Sequence, residues 1–72
     1  MPNSVYKVIE LIGTSPDSWD KAAKNALERA SKTLRDLRVA EVVQLDVAMD
    51  SKGKVEAYRA KLKVSFKYEG GG

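Results

Sequence analysis

The 72-residue sequence has no cysteine and no histidine. The first absence rules out disulfides, and the two together remove the ordinary ligands of a structural zinc site. Catalysis loses its commonest general base and its most nucleophilic side chain. Among the remaining carboxylates, lysines, tyrosines and serines no spacing sets a nucleophile beside a base on one element, so an enzyme is not expected. No apolar run approaches the roughly 18 residues of a membrane span, and the start, MPNSVYK, lacks the basic and apolar regions of a signal peptide. The expectation is a soluble, cytoplasmic protein, with which the lack of cysteine agrees. Charge of one sign is scarce too: 13 Lys and Arg stand against 10 Asp and Glu, a net +3. Such a balance permits an anionic partner without demanding one.

A chain of this length makes one domain, residues 1–72, and a core this small seldom supplies more than about 3–5 kcal/mol. With disulfides and zinc excluded, self-association is the expected supplement.

Apolar and polar residues alternate from Ser4 to Ile12, which predicts a strand with Val5, Ile9 and Leu11 on one side and Tyr6, Val8 and Ile12 on the other. Gly13 and Thr14 are expected to end it. Ser15-Pro16-Asp17-Ser18 reads as a helix start, with Ser15 as cap and Pro16 at the first helical position. Trp19, Ala22, Ala23, Ala26, Leu27, Ala30, Leu34 and Leu37 then form one apolar stripe, so the helix is expected to run to Leu37. Across the joint TLRDLRVAEVV, Thr33 to Val43, neither glycine nor proline marks the change of pattern.

From Val39 to Met49 the period is two: Val39, Glu41, Val43, Leu45, Val47 and Met49 on one face, Ala40, Val42, Gln44, Asp46 and Ala48 on the other. Asp50 to Lys54 is a hairpin turn in which Gly53 can take positive φ. The last strand, Val55 to Tyr68, sets Tyr58, Ala60, Leu62, Val64, Phe66 and Tyr68 on a core face and Arg59, Lys61, Lys63, Ser65 and Lys67 on a basic one. Gly70 to Gly72 should fray.

These elements predict an α+β, βαββ fold: a three-stranded antiparallel-type sheet wrapped on one helix, with the last strand central. One helix covers one sheet face, so Tyr6, Val8, Ile12 and Val42 are left as surplus apolar surface that copies of the same chain would cover.

In order and length the residues resemble the dodecins. The likeness rests on Val5-Tyr6-Lys7-Val8-Ile9-Glu10, Gly13-Thr14-Ser15-Pro16, Ala30 with Thr33-Leu34-Arg35, Ala40-Glu41-Val42-Val43 and Val64-Ser65-Phe66. It implies a hollow homododecamer that stores or sequesters a small molecule of the flavin (FMN or riboflavin) or coenzyme A class. Flavin-binding members stack the ring on a tryptophan and hydrogen-bond its edge with a glutamine, and the matching positions here hold Val39 and Arg59. Val39, Gln44 and Arg59 are therefore the candidate binding residues, with flavin stacking impaired, since aromatic contact is worth about 0.5–1.5 kcal/mol beyond burial. Trp19, on the apolar stripe, is expected to pack rather than to replace the missing platform.

A subgroup sharing the Arg38-Val39-Ala40 segment and the Ser65-Phe66-Lys67 ending is associated with calcium, so a calcium site at subunit contacts is an alternative, with no ligands assigned. Another class of function is nucleic-acid binding through Arg59, Lys61, Lys63 and Lys67. Against it stands the usual role of such a face as solvated surface, with no aromatic interleaved for stacking.

Overall fold

In the computed structural model, which describes residues 5–35 and 37–67, the elements are β1 (Tyr6–Ser15), α1 (Trp19–Ala30), β2 (Leu37–Met49) and β3 (Val55–Lys67). Both β1 and β2 pair antiparallel to β3, in the order β1-β3-β2. The expected βαββ fold and the central place of the last strand are both present. Tyr68 and the tail Gly70 to Gly72 lie outside the described residues.

The helix starts and stops elsewhere than its sequence pattern indicates. Its cap is Ser18, whose Oγ accepts the Lys21 N–H at 3.1 Å. Ser15 is instead the buried last residue of β1, opposite Tyr58, and its Oγ accepts the Asp17 N–H at 3.0 Å. The strand also runs through Gly13 rather than ending there. A Cβ on Gly13 would sit 2.0 Å from the Ala22 carbonyl oxygen and 2.8 Å from Ala26 Cβ. The glycine is needed for close approach of helix to strand, not for a break.

At the other end, α1 finishes at Ala30, whose carbonyl accepts the Thr33 N–H at 3.1 Å and the Leu34 N–H at 2.9 Å. Leu37 opens β2 opposite Phe66 instead of extending the helix. Sheet pairing wins over the stripe's period here. The joint is a corner made by helix termination, without glycine.

The strict alternation of β3 holds. Ala60, Leu62 and Val64 on its helix side are buried, and with Ala22 and Ala30 they are the buried apolar residues among those described. The alternation of β2 does not hold, because its register shifts between Leu37 and Val39, between Val42 and Gln44, and between Ala48 and Met49. An extra residue in a strand turns everything after it to the other face. Leu37, Ala40, Val42, Leu45 and Val47 therefore face the helix side, while Val39, Glu41, Gln44 and Asp46 share the outer face. Val42 moves out of the outer apolar set in which simple alternation placed it.

The hairpin is as expected, with Gly53 at φ 81°. Asp50 organises it by accepting the N–H groups of Lys52 at 2.8 Å and Lys54 at 3.0 Å on Oδ1.

α1 packs on β1 and β3 and leaves the helix side of β2 largely uncovered. The molecule measures 56 × 20 × 17 Å, with a radius of gyration of 15.0 Å, against about 11 Å for a compact chain of this length. Its accessible surface is 5702 Å², against about 4,400 Å² for a compact protein of this mass.

Candidate functional site

All three candidate binding residues stand on the outer face of the sheet. The register fixes that face row by row: Thr14, Arg59 and Asp46; Ile12, Lys61 and Gln44; Glu10, Lys63 and Glu41; Val8, Ser65 and Val39. Arg59 and Gln44 lie in adjacent rows, about 7 Å apart along β3. Val39 lies opposite Ser65, about 20 Å along the strand from Arg59, and is 62% exposed. One protomer thus brings Gln44 and Arg59 together and leaves its own Val39 at the far end.

Arg59 is already engaged. Its Nε donates to Asp46 Oδ1 at 2.7 Å and its Nη2 to Oδ2 at 3.0 Å, a two-point pair across the hairpin. The hydrogen bond from Arg59, aided by its charge and opposed by partial burial, holds the Asp46 carboxyl below its ordinary value of 3.8. The same hydrogen bond and charge raise Arg59 above its ordinary range. Both side chains are part-exposed, so solvent screens the pair.

Asp46 is the residue that sequence reasoning missed. Counting outward from the Gly53 turn sets residue 46 close to residue 59, so the pairing was accessible in principle. The register shift between Ala48 and Met49, which sets residue 46 opposite residue 59, was not.

Trp19 serves packing, in keeping with its place on the stripe. Its Nε1 donates to the Asp46 carbonyl at 3.0 Å and its ring meets Tyr58 edge-on, centroids 5.0 Å apart at 73°. The first turn of α1 is thereby tied to β2.

The face that looks basic along β3 alone is compensated by its neighbours. Arg59 is paired with Asp46, Lys61 lies 3.9 Å from Glu10, and Lys63 stands in register between Glu10 and Glu41. Among the described residues of this face, the aromatic is Tyr6 at the rim, opposite Lys67. From Arg59 to Lys63 the face is therefore not a continuous positive stripe of the kind a phosphate backbone favours.

Among the described residues no three acidic side chains gather to hold a metal, and no helix is long and apolar enough to cross a membrane. An open groove does exist between β1 and the C-terminal half of α1, floored by Ile9, Leu11 and Ala26 and rimmed by Asn25, Arg29 and Lys32. None of the candidate binding residues lines it.

The family model for dodecins matches residues 5–69. The chain belongs to the dodecin family. It is 58% identical over 64 residues to a calcium dodecin of Mycobacterium tuberculosis, covering 89% of each chain. The crystal structure of the calcium dodecin from that organism, a calcium-chelating immunodominant antigen with a novel calcium-binding site, superposes with a TM-score of 0.84 at 54% identity, over 96% of this chain and 97% of the other. Dodecin from Streptomyces coelicolor superposes with a TM-score of 0.87 at 43% identity, again over 96% and 97%. This dodecin thus shares the fold of both relatives over nearly its whole length.

Proposed function

We propose that this dodecin is a non-enzymatic storage or sequestration protein, a hollow homododecamer in the cytoplasm whose sites take a planar small molecule of the flavin or coenzyme A class. The observation that carries the assembly is a pair of apolar patches on opposite faces of one thin sheet. On the outer face Val8 and Ile12 are each 56% exposed, and on the helix side of β2 Val42 and Leu45 are each 50% exposed. One neighbour cannot cover both. Two interface types per subunit build a closed higher assembly rather than a dimer.

The same reading accounts for the separation of Val39 from Gln44 and Arg59, since a site formed between copies draws Val39 from one subunit and the polar pair from another. Flavin stacking is weakened because Val39 offers no ring. Native mass spectrometry of untreated protein tests both parts: twelve subunits and the mass of a retained ligand are expected. A folded monomer at micromolar concentration removes the proposal. Yellow protein that quenches flavin fluorescence would identify the guest.

The calcium dodecin relative favours a second reading, in which a cation sits at subunit contacts. Calcium needs six to eight oxygen ligands, and carboxylates from several copies would supply them, since no cluster forms among the described residues of one chain. A rise in unfolding midpoint with calcium, reversed by chelator, is its expected signature. An unmoved midpoint removes it.

A further inference from the structure

The Asp46–Arg59 pair changes what the candidate site offers a guest. A guanidinium has five N–H donors. Asp46 takes one from Nε and one from Nη2, which leaves three for another acceptor. The charge that would draw a phosphate is cancelled at the same place. In the next row Gln44 contributes an amide, and the cation there, Lys61, has Glu10 at 3.9 Å. A guest at Gln44 and Arg59 meets hydrogen-bond donors and an amide acceptor, but no uncompensated positive charge, and it meets the Asp46 carboxylate itself.

We infer that Asp46 is the specificity-determining residue of this site: by holding Arg59 in a two-point pair it selects a neutral, carbonyl-bearing planar ligand over its phosphorylated counterpart. The inference rests on the reading above, that Gln44 and Arg59 face the guest. Asp46 acts through Arg59 and is a positioning and charge-cancelling residue. Selection of this kind is repulsive as well as a loss of attraction, because a phosphate meets the Asp46 carboxylate and finds no free cation to offset it.

The test compares riboflavin with FMN, which share a ring and differ by one phosphate, by fluorescence titration of the intact protein and of Asp46→Asn and Asp46→Glu. The unaltered protein should bind riboflavin at least as tightly as FMN. Asp46→Asn should move the ratio toward FMN by about tenfold, and salt raised from about 0.05 to 0.5 M should shrink that shift. Asp46→Glu, which keeps the carboxylate, should restore the original preference. An unchanged ratio in Asp46→Asn, or equal loss of both affinities, would overturn the inference and leave Asp46 a structural residue.

If neither flavin binds any of the three proteins, the flavin reading falls by itself, and inorganic phosphate decides the inference. A phosphate-dependent rise in unfolding midpoint in Asp46→Asn but not in the unaltered protein upholds it. Equal responses overturn it.

Discussion

Asp46 joins three elements through two different groups, its carbonyl accepting from Trp19 of α1 and its carboxylate from Arg59 of β3. The carboxyl is depressed in the fold relative to the ordinary 3.8 it takes when unfolded, so the pair stabilises fully above that value and loses its contribution as pH falls through the folded value. Arg59, raised above its ordinary range by the same pair, stays charged throughout that range. Thermal unfolding followed from about pH 5 to pH 2 should therefore show a loss of midpoint that is smaller in Asp46→Asn. Equal acid limbs in the two proteins would show that the pair contributes nothing. Gly13 gives a second prediction at this scale. With Ala22 backbone 2.0 Å from an added Cβ, Gly13→Ala must push α1 off the strand, and about 3 kcal/mol of stability is expected to go. A midpoint at fixed subunit concentration that stays within a degree would refute that packing. The glycine itself was plain in the sequence, but its purpose was not, since a turn and a close approach use the same residue for different reasons.

At the scale of elements, β3 was legible throughout because a strand buried on one face and solvated on the other writes that difference into every residue. α1 was legible in its body and illegible at both ends. Leu34 and Leu37 continue the helical spacing, yet Leu37 pairs with Phe66, a competition that local periodicity does not contain. In β2 the bulge near Val43 reverses the faces, and nothing in VVQLD announces it. That reversal has a consequence for Val39, which it puts on the outer face with Gln44 and Asp46. On the proposed reading, replacing Val39 with Trp should set a stacking ring on the outer face and tighten flavin binding by about tenfold. Fluorescence titration checks it. No gain would place Val39 away from the guest.

For the whole molecule, the opposed apolar patches predict that two substitutions act differently. Val8→Glu should disrupt the contact made by the outer face, and Leu45→Glu the contact made by the helix side of β2. Native mass spectrometry should find two distinct smaller assemblies, each retaining folded subunits. The same product from both would show that one interface covers both patches.

The amino-acid sequence by itself determined the class of answer: no disulfide or zinc staple, a βαββ order, a strictly alternating central strand, and more apolar surface than one helix can cover. These are properties of composition and of local period, which each residue carries wherever the chain goes. Only the tertiary structure decided where the helix yields to the sheet, on which face β2 displays Val39, Gln44 and Asp46, and that Arg59 reaches the outer face already paired. Those outcomes depend on register between strands far apart in the chain, where a one-residue shift reverses a face and brings an acid to a base.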